Sequence, residues 1–290
     1  MSRGCDVAAS SEEERQNTES NMLRSLRSLE RYRVNATDGD LGCVEDFLVD
    51  DEAWTIRSLV VDTGSFVGGR RVLVSPISFR EIDWSNRRVH LALTKEKIIK
   101  SPGVELDKPV SRQHEFQLYG YYGYGLYWGY PGIWGAGAFP SALVAARPYD
   151  GPAPFPDEGP DDVHLRSINA VRNYHIHGTN GSIGHVDDFI IDDETWELRY
   201  VVIDTSNWWL GKKVLVPPQW ATRVSWAEGS VYVNASREQI KSSPVWDGRA
   251  ALDRSFEERT YEHYGRSSPW PRAGEVRERR PPTLASGPLG

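Results

Sequence analysis

Two acidic runs are the residues best suited to hold a hard cation. Residues 50–52 and 192–194 both read Asp-Asp-Glu. Calcium needs several oxygen ligands that converge on one point, and neither run has EF-hand spacing or a glycine at the tight position of such a loop. Aspartate also suits the backbone of a hairpin turn. We therefore interpret both acidic runs as turns.

Three histidines form the second group that could bind a metal. His175 and His177 are two residues apart and would share one face of a strand, which is a plausible start for a zinc or copper site; His185 follows nearby. The sequence pattern offers no fourth ligand. We interpret the three histidines as part of an exposed polar face, and we predict neither a metal nor a cofactor.

Four aspartates in apolar strand patterns are candidates for handling protons or charge. Asp46 and Asp188 lie in the middle of strand patterns, where an inward carboxylate would have a raised pKa or a partner. Asp62 and Asp204 end strand patterns and precede threonines, a position that equally suits a side chain bonded to the next loop.

Motifs for catalysis and for nucleic-acid binding are missing from the sequence. There is no nucleophile elbow, phosphate-binding loop or His-Glu-x-x-His motif. The net charge of −7 argues against nucleic acid, because phosphate binding needs clustered Lys and Arg. We predict a protein without catalytic residues that is not an enzyme.

Aromatic side chains in loops are the remaining candidates, because aromatic residues often anchor protein interfaces. An alternative is that the loop aromatics cover the open end of a barrel, and that the aromatic linker wraps the protein, binds a partner or surface, or self-associates. The predicted interaction residues are Phe66, Val67, Trp208, Trp209, Tyr121, Tyr122, Tyr124 and Trp128.

Most of these candidates recur because the chain contains the same unit twice. Residues 39–54 and 181–196 are the best-matched stretches, and a shift of about 142 residues superposes the two units. Residues 23–102 align with 165–244 without a gap, with roughly 29 identities in about 80 positions.

The patterns within each unit are those of β-strands. In the first unit, alternation over 42–50 places Val44, Asp46 and Leu48 on one face, and the return strand at 54–62 completes a hairpin. Positive φ is expected at the Asp-Gly turn of 38–39 and at its counterpart in the second unit. Short strands with frequent turns predict a small, mostly antiparallel barrel or sandwich, followed in each unit by short helices.

The predicted domains follow from these patterns. Thr94 and Ser236 are candidate N-caps of the first short helix in each unit. Between the units lies a stretch rich in Tyr, Gly and Trp and then in Pro, which we interpret as a linker without a core of its own. The boundaries are a disordered tail at 1–22, a first unit at 23–123, the linker at 124–164, a second unit at 165–265 and a second tail at 266–290.

The cellular location is predicted from the N-terminus, the cysteines and one uncharged segment. Residues 1–21 lack the apolar run of a signal peptide, and with only Cys5 and Cys43 we expect no disulfide and a reducing compartment. Residues 118–138 are uncharged, but their Gly, Tyr and Trp favour a membrane interface over its hydrocarbon centre. We predict a cytoplasmic protein that could lie peripherally on the inner membrane.

A resemblance to a known family rests on the repeated motifs. The stretches GDLGCVEDFLVD at 39–50, VVD at 60–62, VLVSP at 72–76 and LTKE at 93–96 resemble the PRC-barrel domain, and the second unit resembles it equally well. That family includes the cytoplasmic domain of the photosynthetic reaction centre H subunit, the C-terminal domain of the ribosome maturation factor and many bacterial proteins of unsettled role. The resemblance implies tandem small antiparallel β-barrels that serve as interaction modules.

The functional prediction follows from this resemblance and from the missing catalytic motifs. In the reaction centre the barrel sits on membrane proteins and helps to control electron and proton transfer, whereas in the ribosome factor it contacts a ribosomal protein. We predict a bacterial adaptor with protein partners, docked on a membrane-associated, reaction-centre-like electron-transfer complex. The alternative is a small-ligand or metal-binding module that uses His175, His177, His185 and the acidic turns. The protein is also expected to self-associate, or its two units to pair as a pseudo-twofold within one chain.

Overall fold

The computed structural model describes residues 23–64, 69–103, 110–144, 163–205, 212–248 and 252–267. The predicted tail 1–22, most of the tail 266–290 and the predicted interaction residues Phe66, Val67, Trp208 and Trp209 lie outside these ranges. The described chain is mostly β, with two sheets and short helices, which confirms the predicted fold class at this level.

Each sheet has eight strands, and each contains one strand from the other half of the chain. The first sheet has the strand order β5-β4-β3-β2-β7-β6, with β9 paired to both β3 and β8. Its strands are β2 (Arg33–Ala36), β3 (Gly39–Asp50), β4 (Thr55–Asp62), β5 (Arg71–Val74), β6 (Phe79–Asp83), β7 (Arg88–Leu91), β8 (Val110–Ser111) and β9 (Val163–Ser167). The second sheet has the order β14-β15-β10-β11-β12-β13-β16, with β1 paired to β11. Its strands are β1 (Leu23–Ser25), β10 (His175–Gly178), β11 (Gly181–Asp192), β12 (Leu198–Asp204), β13 (Lys213–Val216), β14 (Ala221–Ser225), β15 (Ser230–Val233) and β16 (Val245–Trp246).

Short helices begin where the sequence supplies a capping side chain. The helices are α1 (Leu26–Leu29), α2 (Lys95–Ile99), α3 (Arg112–Tyr122), α4 (Ser141–Val144), α5 (Ile168–Val171), α6 (Arg237–Lys241) and α7 (Arg254–His263). The Thr94 hydroxyl accepts from the Lys97 backbone at the start of α2, and Ser236 forms a capping box with Gln239 at the start of α6. Both predicted N-caps are confirmed.

Glycines at two positions of the repeated motif are required by the backbone. Gly39 and Gly181 have φ of 128° and 136°, which confirms the positive φ expected at the turn. A Cβ on Gly42 would lie 2.0 Å from the carbonyl oxygen of Asp62, and one on Gly184 would lie 2.1 Å from that of Asp204. The two long strands of each hairpin can therefore approach each other only where no side chain stands between them.

A β-bulge near the start of each long hairpin changes which side chains face inward. The register of β3 against β4 shifts between Val44 and Asp46, and that of β11 against β12 shifts between Val186 and Asp188. Val186 and Phe189, three residues apart, consequently line the same interior space. The simple alternation predicted for residues 42–50 is wrong because the equivalent bulge in β3 interrupts it.

The two halves of the chain exchange their first strands. Strand β1 pairs with β11 of the second half, and β9 pairs with β3 of the first half, both antiparallel. The turns that follow β3 and β11 also meet, since the backbone N–H of Ile56 donates to Trp196 and that of Leu198 donates to Trp54. The halves are thus joined by backbone hydrogen bonds through both sheets.

The described part of the predicted linker packs into the core. Tyr124, Tyr127, Trp134 and Leu143 are all buried and belong to the main apolar cluster. Residues 124–144 of the predicted linker thus pack on the first half of the chain and share its core. Residues 145–162 lie outside the described ranges.

Three further features bear on the sequence predictions. Within the described residues both sheets are open paths of strands, and no pairing closes either into a barrel. None of the described helices has the length and apolar character needed to cross a bilayer. Cys43 is half-buried and disulfide-bonded, contrary to the expectation of free thiols, and the other cysteine of the sequence, Cys5, lies outside the described residues.

Candidate functional site

A buried cluster of charged and polar side chains lies where the aromatic segment meets the first sheet. The segment of residues 124–144 is hereafter called the aromatic segment. The cluster residues come from β3, β4, α3, the aromatic segment and β9, and all are at most 5% exposed: Asp50, Arg57, Glu115, Tyr127 and His164. This polar cluster is therefore assembled from both halves of the chain.

Arg57 occupies the centre of the polar cluster. Its Nε and Nη2 atoms donate to Asp50 Oδ2 at 3.2 and 3.1 Å, and its Nη1 donates to the backbone oxygen of Ile133 at 2.6 Å. The guanidinium lies 3.6 Å from the ring centre of Tyr127 and 4.7 Å from that of Trp134. A buried arginine is tolerated only when its charge and its donors are satisfied in this way.

The Glu115 carboxylate is shared by two donors. Tyr127 Oη donates to Glu115 Oε2 at 2.9 Å, and His164 Nε2 lies 2.9 Å from the same oxygen. Glu115 Oε1 and His164 Nδ1 have no hydrogen-bond partner among the described residues, although both are buried. Buried polar atoms without a partner are rare in folded proteins.

Burial and charge act in opposite directions on the acids and phenols of the polar cluster. Burial opposes ionisation of Asp50, but Arg57 and the Ala53 backbone N–H outweigh it, so the pKa of Asp50 lies below its ordinary value. Burial raises the pKa of Tyr127 well above its ordinary value, and Glu115 adds to that shift. Tyr127 is therefore a hydrogen-bond donor here and not a nucleophile. The arrangement fixes the aromatic segment and β9 to the first sheet.

Sequence reasoning missed the polar cluster, although one signal pointed to it. Arg57 stands inside an otherwise apolar return strand, and Arg199 repeats it in the second half. A charge repeated within a strand pattern indicates a buried partner. Tyr127 and His164 have no equivalents in the repeat, so internal comparison gives no sign of them.

The predicted proton-handling aspartates join the two halves. Asp46 accepts from Ser167 Oγ at 2.5 Å and from the backbone of Asn169 at 3.1 Å, at the start of α5. Asp188 accepts from Ser25 Oγ at 2.5 Å and from the backbone of Arg27 at 3.2 Å, at the start of α1. Burial raises the pKa of both carboxyls, although these hydrogen bonds oppose the shift.

The other acidic candidates lie in turns, as the sequence suggested. Asp62 Oδ1 accepts from the Gly64 backbone at 2.8 Å. Asp50 Oδ1 accepts from the backbones of residues 52 and 53, and Asp192 Oδ1 does the same for residues 194 and 195. Asp204 ends β12 opposite Lys213 of β13. The carboxylates of Asp50, Asp62 and Asp192 therefore shape loops, as expected of aspartate at such positions.

The three histidines lie on the outer side of the second sheet. His175 pairs across the strands with His185, and His177 stacks on Tyr232 with ring centres 5.0 Å apart. His175 and His177 flank the buried Ile176, so they share a face as predicted. Among the described residues, no group of three or more His, Cys, Asp or Glu side chains could hold a metal ion.

The aromatic residues predicted to bind partners are largely internal where the structure describes them. Tyr122 and Tyr124 are buried and stack with ring centres 5.5 Å apart, and Tyr122 Oη donates to the Leu73 backbone. Tyr121 Oη donates to the Lys97 backbone at 2.7 Å, and the half-buried Trp128 packs 4.8 Å from Tyr127. Tyr122 therefore lies against strand β5, and neither Tyr122 nor Tyr124 faces solvent.

The surface of the aromatic segment carries a different set of apolar side chains. Among the described residues, four large apolar side chains are exposed, and three of them lie in this segment. These three are Tyr130 at 61%, Phe139 at 47% and Val144 at 60% exposure; the fourth is Val245 at 47%. These three side chains are the candidates for an interaction surface on the described part of the aromatic segment.

The comparison with known families found one domain match, which lies in the second unit. Residues 167–240 match the PRC-barrel domain, so the chain contains that domain from the end of β9 to α6. The match does not extend to the first unit. No curated protein matches the chain.

Proposed function

We propose that this chain is a non-enzymatic interaction protein built on two PRC-type barrels, with the aromatic segment as its docking surface. The observation that carries the proposal is the exposure of Tyr130, Phe139 and Val144 on a segment that is anchored by the buried rings of Tyr124, Tyr127 and Trp134. Anchored exposed aromatics lose little conformational freedom on binding, which favours their use in interfaces. The PRC-barrel match at residues 167–240 agrees with such a role.

The proposed partner is a protein of a membrane-associated electron-transfer complex on the cytoplasmic side of the inner membrane. This part of the proposal follows the resemblance to the reaction-centre H subunit. Aromatic side chains such as Tyr130 also suit the level of the lipid headgroups. The two β-sheet halves, joined through exchanged strands, would hold the aromatic segment rigidly beneath such a complex.

Site-specific photo-crosslinking tests the proposed surface. A photoreactive phenylalanine is placed singly at Tyr130, Phe139 or Val144, and at Val245 as the matched control of similar exposure. The labelled chains are irradiated with membranes of the organism that encodes the protein. We expect the three positions of the segment to label the same membrane-complex subunit, and Val245 not to label it. Equal labelling from Val245, or no common product from the other three, would refute the docking surface.

A further inference from the structure

Two segments of similar sequence are bound in the same way, one on each sheet. Residues 23–27 read Leu-Arg-Ser-Leu-Arg, and residues 165–169 read Leu-Arg-Ser-Ile-Asn. We call these the lead-in segments. The first pairs antiparallel with β11 and the second pairs antiparallel with β3, in equivalent registers. We call β11 and β3 the receiving strands. The repeat thus gives two independent views of one mode of binding.

The arginine of each lead-in segment reaches the acidic turn that follows the receiving strand. Arg24 Nε donates to Asp193 Oδ2 at 3.1 Å, and Arg166 Nε donates to Asp51 Oδ2 at 2.9 Å. All four side chains are at most 17% exposed. Hydrogen bonds between charged groups are stronger than those between neutral groups, so this position favours arginine.

The serine and the residue two places after it contact the middle of the receiving strand. In both copies the serine hydroxyl donates at 2.5 Å to a strand aspartate. Arg27 Nη2 donates to the Asp187 backbone oxygen at 2.6 Å, and Asn169 Nδ2 donates to the Glu45 backbone oxygen at 3.2 Å. The apolar residue between them is fully buried in both copies. The recognised sequence is therefore Leu-Arg-Ser, an apolar residue and a side-chain donor.

The two lead-in segments are held unequally. Strand β9 has five residues, pairs with both β8 and β3, and carries His164 of the polar cluster. Strand β1 has three residues, all half-buried, and among the described strands it pairs with β11 alone. A short strand with a single neighbour opens at a smaller local free energy than a longer strand between two neighbours. Of the two receiving strands, β11 is therefore the one that is more easily vacated.

We propose that β11 is a binding site for a Leu-Arg-Ser segment of a partner protein, and that residues 23–27 occupy it as an exchangeable internal ligand. The partner segment would pair in the register of β1, with its arginine on Asp193 and its serine on Asp188. These two carboxylates and that of Asp187 favour a basic segment over an acidic one. The site is independent of the docking surface proposed for the aromatic segment.

Fluorescence anisotropy with a labelled peptide tests the proposal on the full chain. The peptide has the sequence of residues 163–172, which contains the recognised sequence once. Arg24→Ala with Ser25→Ala weakens the internal ligand and leaves β11 intact, so this variant is expected to bind the peptide at least about tenfold more tightly than the wild type. Adding Asp188→Ala removes the acceptor on β11 and is expected to weaken that binding at least about tenfold.

Two controls test whether binding is specific to this site. In the same variant, Asp46→Ala makes the equivalent change on the first sheet and is expected to leave peptide binding unchanged. A peptide with alanine in place of its serine is expected to bind at least about tenfold less tightly.

Circular dichroism establishes that each variant is folded. If Arg24→Ala with Ser25→Ala does not fold, Ser25→Ala alone takes its place. A purely structural contact would give no gain in peptide binding when the internal segment is weakened. No gain of affinity in the folded segment variant, or binding that survives Asp188→Ala, would overturn the proposal.

Discussion

The hydroxyl of Ser167 donates a 2.5 Å hydrogen bond to the carboxylate of Asp46, which lies 121 residues earlier in the chain. The hydroxyl of Ser25, in the first half, donates the equivalent hydrogen bond to Asp188 of the second half, again at 2.5 Å. Each serine is also the N-cap of the short helix that follows its strand. One carboxylate therefore fixes both an exchanged strand and the helix behind it.

Replacement of Asp46 by alanine is expected to destabilise the chain by about 2 kcal/mol, since the part-buried donors of Ser167 and Asn169 would lose their shared acceptor. Urea denaturation measures the change. Asp62→Ala is the control, because that carboxylate caps a more exposed turn, and it is expected to cost less than about 1 kcal/mol. Equal losses for the two variants would show that the contact between the halves has no special weight.

The stability contributions of Asp46 and Asp50 are expected to depend on pH with opposite signs. The raised pKa of Asp46 gives a contribution that is complete at low pH and is lost as pH rises through the folded-state pKa. The lowered pKa of Asp50 gives a stability contribution that is present near neutrality and is lost as pH falls through the folded-state pKa.

Unfolding free energies between about pH 3 and pH 7 check this, since unfolded aspartates titrate near 3.9. The cost of Asp46→Asn should be larger at the acidic end, and that of Asp50→Asn larger at the neutral end. Parallel pH profiles for the two variants would contradict the assignment.

Removal of the Arg57 charge is expected to be far more costly than the same change at its repeat partner Arg199. Arg57→Met leaves Asp50 buried without its counter-ion, which costs about 3 to 5 kcal/mol. Arg199 has a side chain 16% exposed, so Arg199→Met is expected to cost about 1 kcal/mol. Chemical denaturation of both variants provides the comparison, and similar costs would mean that the polar cluster does not depend on this pair.

The hydroxyl of Tyr127 is expected to hold the aromatic segment in place. Tyr127→Phe removes its hydrogen bond to Glu115 and leaves that buried carboxylate with fewer donors, at a cost of about 1 to 2 kcal/mol. Tyr130→Phe removes a hydroxyl from an exposed ring of the same segment and should change stability by less than about 0.5 kcal/mol. Faster amide hydrogen exchange of the segment in Tyr127→Phe alone would locate the effect there.

Local chemistry in the sequence was sufficient for the hairpins, the turns and the helix starts. Thr94 and Ser236 cap the helices that they were predicted to cap, and Gly39 has the positive φ that its turn demands. These features depend on side-chain and backbone interactions between residues close in sequence. Short sequence patterns were therefore sufficient to predict these caps and turns.

The remaining errors concern pairings between distant residues. The lead-in Leu-Arg-Ser is identical at 23–25 and 165–167, so it can pair with either long hairpin, and nothing local tells the two choices apart. The bulge after Val44 inserts one residue into β3, and no Gly, Pro or Asn marks it in the sequence. Beyond the bulge, the side chains that face inward are those that the simple alternation places outward. The aromatic segment was interpreted from its composition alone, whereas its packing depends on the surface of the first sheet.

The exchange of β1 and β9 makes this single chain equivalent to a domain-swapped dimer whose two copies have been fused. Neither half contains all the strands of its own sheet, so a protein made from one half alone would lack the strand that pairs with its long hairpin and would gain it by dimerising with a second copy. Fusion removes the concentration dependence of that assembly, since the partner is always supplied by the same molecule. It also frees the two copies to diverge: the first has Phe79, which packs edge to face on Trp196, where the second has Ala221.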